Sequence, residues 1–517
     1  MPTPRNPYNE VRYTGHARVF AHPRRMRTLA RLFGLRAPAP ERCRMLELGC
    51  GDATHLLWVA AGLPAARCVG IDLTEAGLAR GREMAQVAGI GNVELRQADI
   101  MDLDASLGEF DYIVAHGVYS WVPELVRSKL LDLCARCLAP DGVALVSYNA
   151  MPGGHFRSLA GELMRFGTRG IADPERTVAQ ARRFLDTFSR WQGQGEGYAE
   201  IIRGQIARLE KTPDYVLYHD DLAEHTRAFS LSGFLERAGA CGLRYLTEAS
   251  FADTRYEGVP PEVQAEVAAA VSSREDREQI LDYLSGRAFR RTLLCRAVVA
   301  LDGAPEPDAV AEMAVLGRFR PLAEPGLADD APLEFEGADG KRITAAHRLV
   351  KAALVLLGEF WPRPLAFADL LDQARSRCVR VSADAEEERR QFCRFLFGAY
   401  AGGVVDLNLD PPRAAARAGD RPRVFALARA QAARGGELTS VPGFTVHMDD
   451  PFSRHLLRLL DGSRDRAGIA ASLVAAVELG EVALPQALSE AQDWRAALRS
   501  GLDENLASLA RLGLIEG

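Results

Sequence analysis

Short apolar runs alternate with helix-like stretches over the first 150 or so residues. "RCRMLELGC" (residues 42–50) and "ARCVGIDL" (66–73) are apolar runs with polar flanks, the pattern of parallel strands buried on both faces. Between them, "THLLWVAAGL" (54–63) has the length and composition of a helix. "NVELRQADIMDL" supplies a third strand, "FDYIVAHGVYSWV" a fourth, and "LAPDGVALVSYN" an Asp-Gly turn followed by a fifth. Strands that alternate with helices predict an α/β domain, a doubly wound parallel sheet that binds ligands at the strands' C-terminal ends.

The pattern then changes. A helical insertion is expected from about 155 to 218, because "MPGGHFRSLAGELMRFGTRG" and the arginine-rich stretch behind it permit helix. "FSLSGFLERAGACGLRYLTEA" follows as helix, glycine turn and strand, and "RRTLLCRAVVAL" as a last strand. The first domain is therefore expected to end near 300, closing with two antiparallel strands. From about 301 to 330 the chain is rich in Ala, Pro, Glu and Asp, and a linker is expected. "FEGADGKRITAA" predicts a hairpin around Asp-Gly. "HRLVKAALVLLGEFWP" and "EERRQFCRFLFGAYAGGVVDLNLD" carry helical spacing. "SRHLLRLLDGSRDRAGIAASL" and "LDENLASLARLGLIEG" each suggest helix, glycine and a short apolar strand. Two winged-helix-like α+β modules are expected, a middle one from about 331 to 421 and a C-terminal one from about 422 to 517.

Composition narrows the function more than the fold. The 517 residues suggest roughly three domains at ~150 residues each. No run of ~18 apolar residues appears, so no membrane span is expected. The polar start "MPTPRNPYNEVRY" lacks the apolar segment of a secretory signal, and a cytoplasmic location is expected. The net charge of −6 argues against a general nucleic-acid binder, and the basic "RPRVFALARAQAARGG" reads better as a solvated arginine face or a protein-docking surface than as a DNA-reading helix. Cys134 and Cys137 form a CxxC, but no second pair stands at zinc spacing; core packing and no metal are expected.

The chemistry sits in "LELGCGDATHL". Gly49 and Gly51 fall at a strand-to-helix turn, and Asp72 ends the next strand. Glycines there allow close backbone approach, and the second acid can accept hydrogen bonds from ribose hydroxyls. A dinucleotide fingerprint would need a third glycine where Thr54 stands. The S-adenosylmethionine pattern has an acid two residues before the first glycine, and Glu47 is there; its third small position is Ala53. Cys50 between the glycines and Leu73 after Asp72 belong to the same contact region. Asp99 and Ile100 close the third strand, where an acid can accept the adenine amino group and the next amide can meet a ring nitrogen. His116 opens the turn after the fourth strand.

The stretch "LELGCGD…VGIDL…ADIMDLDASLGEFDYIVAHGVYSWVP…LAPDGVALVSYN" resembles the class I S-adenosylmethionine-dependent methyltransferases that carry a methyltransferase regulatory domain. That group includes the rickettsial protein lysine methyltransferases, which act on outer-membrane protein. The resemblance covers most of the chain. It places the regulatory region at about 215–300 and implies that such segments join subunits, which leaves a homodimer open. It also implies that the head, through Tyr8, Val11, Tyr13, Phe20, His22 and Pro23, reaches the cofactor pocket. Two stretches depart from the family pattern, "TGHARV" in the head and "DATH" after the glycines.

Methyl transfer from a sulfonium is an in-line displacement in which orientation supplies much of the rate. The acceptor pocket is expected beyond the fourth and fifth strands, which nominates Tyr119, Trp121, Tyr148 and Asn149, with Ser120 beside them. A protein substrate modified on lysine is favoured. The alternatives are a small-molecule methyltransferase, a non-catalytic S-adenosylmethionine-binding docking protein and, disfavoured by Thr54 and Glu47, a dinucleotide oxidoreductase.

Overall fold

A computed structural model of the chain describes residues 7–190, 196–254, 259–337, 340, 342–378 and 384–517. Eight strands form its main sheet: β1 (Arg44–Leu48), β2 (Arg67–Asp72), β3 (Val93–Gln97), β4 (Phe110–Ala115), β5 (Leu138–Ala150), β6 (Ala228–Phe229), β7 (Leu243–Glu248) and β8 (Phe289–Arg296). Their order is β3-β2-β1-β4-β5-β8-β7, with the short β6 paired to β5. β1 to β5 are parallel, and β8 runs antiparallel to both β5 and β7. The Asp141-Gly142 turn expected before the fifth strand is absorbed into β5, where the pairing with β4 shifts register.

The helices are α1 (Pro23–Leu32), α2 (Thr54–Gly62), α3 (Glu75–Ala88), α4 (Glu124–Cys137), α5 (Gly153–Gly167), α6 (Pro174–Ser189) and α7 (Glu196–Glu210). Pro23 sits in the first turn of α1, where its missing N–H costs nothing, and the His22 ring accepts the Arg24 amide. In α2 the run His55 to Ala60 is buried on every side, as a helix apolar all round must be. α5, α6 and α7 stand off the sheet around their own small core of Met164, Leu185, Ile206 and Leu217.

Alternation along β5 divides the interior. Val143 and Leu145 face the layer with α1 and α2, while Ala144, Val146 and Tyr148 face the layer with α4 and the helix Leu231–Ala240. The end of the sheet at β7 and β8 is tied by a buried ionic cluster. Arg290, 1% exposed, donates to Glu248 Oε1 at 2.6 Å, to both Asp282 oxygens at 2.8 and 2.9 Å and to Glu278 Oε2 at 3.2 Å. The Tyr245 hydroxyl donates to Glu278, and the Thr292 hydroxyl reaches Glu248 at 2.9 Å.

The stretch from about 301 to 330, expected as a linker, is part of the interior instead. Pro307–Glu312 makes a 3-10 turn, Ala314–Leu316 is the central strand of a small sheet with Leu365–Ala366 and Asp406–Asn408, and Phe319–Pro321 edges a second sheet. Val310, Met313, Val315 and Leu316 are buried. A short strand needs only three or four apolar side chains, and these were diluted among prolines and acids. The second sheet includes the expected hairpin, Leu333–Gly337 with Arg342–Ala345; residues 338, 339 and 341 of its turn lie outside the described set.

The middle module adds helices Arg348–Phe360, Phe367–Ser376 and Ala385–Ala401. In the C-terminal module, no strand follows Gly462: the Asp465 carboxylate caps a second helix, Arg466–Glu478, through the Gly468 amide at 2.8 Å. The other expected end holds, with helix Trp494–Arg511, Gly513 and a bridge between Val424 and Ile515.

These modules share one apolar core with the first domain, running from Ala21 to Ile515. Arg27 pairs with Asp410 at 2.6 Å, the Leu409 amide meets the Thr28 hydroxyl at 3.0 Å, Trp58 Nε1 donates to the Ser440 carbonyl at 3.2 Å, and Phe251 stacks on Tyr400 at 5.7 Å. Among the described residues, no helix is long and apolar enough to cross a membrane, and no three His, Cys, Asp or Glu side chains are grouped to hold a metal ion. All nine cysteines are free thiols.

Candidate active site

The parallel strands end along one edge, and the loops there carry most of the nominated residues. The Gly49 amide donates to the Ile71 carbonyl, and the Gly51 amide to Asp72 Oδ2, both at 2.8 Å. Asp72 Oδ1 accepts the Thr74 amide at 2.8 Å. The carboxylate therefore pins the glycine loop to the start of α3 and keeps lone pairs for a ligand. Gly51 has φ +58°, and a Cβ built on it would meet nothing within 4 Å, so its open face can be approached closely. Ala53 is also left-handed, at φ 58°, which costs a non-glycine residue roughly 1–2 kcal/mol. Gly77 and Gly81 of α3 make room for this loop: a Cβ on them would lie 2.8 Å from the Gly51 carbonyl oxygen and 2.9 Å from that of Asp52. The sequence reading passed over both, since a helical glycine usually carries no message.

Glu47, 6% exposed, lies under the loop, and its Oε2 has no partner among the described residues. Burial pushes its carboxyl up from the usual 4.5 to about 8. The acid is thus neutral at pH 7 when folded and ionised when unfolded. Its contribution to stability is full below pH 4.5 and is lost as pH rises through about 8. Glu47→Gln should remove that slope: the melting temperature of the native protein should fall relative to the variant between pH 5 and pH 8, as read by calorimetry. Parallel curves would place an ionised Glu47 in the folded state.

The remaining strand ends complete the edge. Leu73 is 55% exposed beside the loop, and Cys50 is buried beneath it. Asp99 is exposed after β3; its Oδ1 caps the 3-10 turn that begins at Ile100 by accepting the Met101 amide at 2.9 Å. His116 Nδ1 lies 2.8 Å from the Ser147 hydroxyl, which also accepts the Gly117 amide. Burial lowers the His116 imidazole to about 3, so the ring is neutral.

The head crosses this edge as a strap. The Gly15 amide approaches Asp52 Oδ2 at 3.4 Å, the Arg18 amide donates to His55 Nδ1 at 3.2 Å, and the Phe20 ring packs on His116 at 5.0 Å. Tyr8 stacks on His219 at 4.2 Å, and burial raises its phenol, helped by the charges of Asp220 and Asp72. His22 instead points to Trp58, 4.7 Å away, in the shared core. Open space above Gly51, the Asp72 carboxylate and an orphaned acid beneath form a cradle that fits an adenosyl group.

Two nominated residues sit elsewhere. Tyr119 and Tyr148 are both fully buried in the layer under α4, with Phe234 5.3 Å from one and stacked at 4.2 Å on the other. The Tyr148 hydroxyl pairs with Thr292 Oγ1 at 3.1 Å. Alternation along β5 sends Tyr148 to the face opposite Ser147 and Asn149, and neither tyrosine opens to the edge. Tyr119→Phe should accordingly leave turnover within about twofold; a tenfold loss would return its hydroxyl to the acceptor side.

Asn149 and Trp121 remain at the edge. Asn149 is 1% exposed, yet neither its amide nitrogen nor its oxygen has a partner among the described residues. Buried polar groups are nearly always paired; the Tyr119 hydroxyl is orphaned too, but in the layer under α4, whereas the Asn149 amide is orphaned at the strand ends, where a ligand can complete its bonding. Trp121 Nε1 donates to the Asp220 carbonyl at 3.1 Å. Asp220 and His219 lie on a short π-helix, Leu217–Asp221, a form frequent at functional sites. These two, with Arg157 on α5, join the site without having been foreseen: the pair of acids in "YHDDL" was visible, but nothing in its spacing pointed to the strand ends.

Three family profiles match the chain: a methyltransferase domain over residues 45–142, a predicted methyltransferase regulatory domain over 213–296, and a PKMT C-terminal winged helix domain over 420–514. An uncharacterized protein of Rickettsia prowazekii (strain Madrid E) is 28% identical over 491 residues, 93% of this chain and 87% of the relative. A second uncharacterized protein of that organism is 32% identical over 232 residues, 45% of this chain and 93% of the relative. Among solved structures, PKMT2 from Rickettsia typhi in complex with AdoHcy is 25% identical, with a TM-score of 0.84 over 98% of this chain and 100% of that one.

Proposed function

Because this chain belongs to the class I S-adenosylmethionine-dependent methyltransferases that carry a regulatory domain and a C-terminal winged helix, we propose that it methylates a protein side chain, with lysine the favoured acceptor. The observation that carries this reading is the reach of the likeness to PKMT2, which continues past the methyltransferase core through both C-terminal modules. Those modules share the core's apolar interior, so they form one body with the methyltransferase domain.

When bound, S-adenosylmethionine supplies a methyl group on a positively charged sulfur. The chain's own residues position it. Asp72 would accept the ribose hydroxyls, the Gly49–Gly51 backbone would line the sugar and methionine portion, and Asp99 with the Ile100 amide would read the adenine edge. The strap from Tyr8 to Phe20 lies across the strand ends, held by Asp52, His55 and His116. An acceptor amine would have to release a proton to solvent before its lone pair could take the methyl group that S-adenosylmethionine would supply. No strong protein base is required for this. The Asn149 amide oxygen can accept an N–H of the incoming amine and hold its lone pair in line.

Transfer of labelled methyl from S-adenosylmethionine into a cell lysate tests the reading. Label is expected in the protein fraction, as methyllysine after acid hydrolysis. Label confined to small molecules, or to a residue other than lysine, would refute it.

A further inference from the structure

Asp220 stands at the meeting of four segments. Its backbone carbonyl takes the Trp121 indole N–H from the turn after β4. Its carboxylate receives Arg157 of α5 at 3.3 Å on Oδ2. Tyr13 of the strap lies edge-on to Tyr215 at 5.3 Å and to His219 at 5.7 Å. Tyr8 stacks on the other face of that cluster through His219.

Arg157 is committed mainly to the neighbouring acid. Asp221, whose side chain is fully buried, takes Arg157 Nε at 2.9 Å and Arg208 Nη2 at 3.0 Å. Two guanidinium groups thus balance Asp221, and Asp220 holds only the second, longer end of one of them. Among the described residues no donor reaches Asp220 Oδ1, and 21% of that side chain is exposed. A half-buried carboxylate with one oxygen open is under-compensated; of the rings gathered around its segment, Trp121 already carries Arg157 over it at 5.9 Å and Tyr8 is stacked on His219.

A second observation, independent of the acid, marks the same cleft. Asn149, whose side-chain amide is orphaned, sets its Cβ against the start of α5, 3.5 Å from where a Cβ on Gly154 would stand. Gly154 and Arg157 are three residues apart on one helix face, so Asn149 and the guanidinium that holds Asp220 both belong to the first two turns of α5. One side offers an uncharged acceptor, the other a negative charge.

We propose that Asp220, walled by Tyr8, Tyr13 and Trp121, recognises the cationic amino group of the acceptor side chain and thereby restricts this enzyme to amines. The proposal rests on the reading that the acceptor is a protein side chain. Asp220 is a positioning residue: it neutralises the ammonium as it arrives and the methylated ammonium that leaves, both of which carry one positive charge. Asn149 accepts from the same nitrogen at the far side. A carboxamide or hydroxyl substrate would gain a hydrogen bond but no ion pair, and a carboxylate would be repelled.

The surroundings make this recognition depend on pH. The groups that face Asp220 are Arg157 on α5, Arg18, Tyr8 and Tyr13 on the strap, Tyr215 on the preceding helix, and Asp221 beside it. Burial dominates and lifts its carboxyl from the usual 3.8 to about 6, against the pull of Arg157. Below that value the acid is neutral and its attraction for an ammonium is lost.

The test uses the full chain saturated with S-adenosylhomocysteine and titrated with Nα-acetyl-lysine methylamide, followed by NMR. The same compound acetylated on its side-chain nitrogen serves as the control. At pH 8 the native protein should bind the lysine compound and not the control. Asp220→Asn should weaken binding at least tenfold, Asp220→Glu should keep it within about threefold, and both should hold S-adenosylhomocysteine as the native protein does. Lowering the pH to 5 should reduce native binding toward that of Asp220→Asn and leave the variant unchanged. Equal affinity for the two compounds, or undiminished binding by Asp220→Asn, would overturn the proposal. A parallel loss of S-adenosylhomocysteine affinity would also overturn it, by assigning Asp220 to the methionine amino group. If labelled methyl still enters protein lysine while Asp220→Asn binds normally, this placement fails and the protein-lysine reading stands. If no lysine is labelled, the reading itself has failed.

Discussion

Asp72→Ala is expected to weaken S-adenosylmethionine binding by about ten- to a hundredfold while the chain stays folded. The carboxylate ends β2 with one oxygen on the Gly51 amide and the other on the Thr74 amide. Each oxygen keeps a lone pair toward the open side of the loop, where ribose hydroxyls can donate. Hydrogen bonds to a charged acceptor contribute about 1.5–3 kcal/mol each, and every 1.4 kcal/mol is tenfold in affinity. One such bond lost gives the lower figure; two would exceed the upper, but water entering the space recovers part of the difference. Asp72→Asn keeps the shape and loses the charge, and should fall between the native protein and the alanine variant. Calorimetric titration gives the affinities, and a melting curve without ligand checks the fold. Native-like affinity in Asp72→Ala would remove the cofactor from this strand end.

A chain ending near residue 305 is expected to be insoluble or loosely packed, and unable to bind S-adenosylmethionine. A linker from about 301 to 330 would let such a fragment stand alone and still bind the cofactor. The structure opposes this, because the missing part covers α1, α2 and the loop after β7. Trp58 would lose the carbonyls of Ser440 and Val441, Phe251 would lose Phe397 and Tyr400, and Thr28 the Leu409 amide. Returning a large buried apolar side chain to water costs about 1.5–3 kcal/mol, and a whole domain is stable by only about 5–15 kcal/mol. Exposing Trp58, Phe251 and their apolar neighbours uses up much of that margin. Gel filtration and a thermal shift with S-adenosylmethionine are the measurements. A soluble monomeric fragment whose melting rises with the cofactor would show that the shared interior is divisible.

The parallel sheet could be read from sequence because each strand is a short apolar run bounded by polar residues, and its chemistry lies where those runs stop. Glu47, Gly49, Gly51, Asp72 and Asp99 all stand at such ends, so a linear pattern was enough to bring them together. Tyr119 and Tyr148 show the limit. Position along the chain brought them to the right loop and strand, but the side of the sheet is set by alternation and by what packs there, and Phe229 and Phe234 draw both rings into the layer under α4. Asp220 was out of reach for another reason. It lies some seventy residues past β5, and only the folding back of the π-helix onto α5 and the strap sets it beside Trp121. The stretch after 301 was misread because composition averages over many residues, whereas three buried ones suffice for a strand.

The ionic cluster around Arg290 constrains how this protein can change over generations. Arg290 answers three buried acids, Glu248, Glu278 and Asp282, and Thr292 links the cluster to Tyr148. Removing one partner of a buried ion pair costs about 3–5 kcal/mol, whereas replacing a whole set with apolar residues of similar volume is often close to neutral. Any single step away from the present arrangement therefore crosses a fitness valley, although the destination can be as stable as the start. The four positions should behave as one inherited character. Diverging lineages of this fold are expected to keep all four or to have exchanged them together, and a variant library should show strong epistasis within the quartet and near-additivity between it and Asp72.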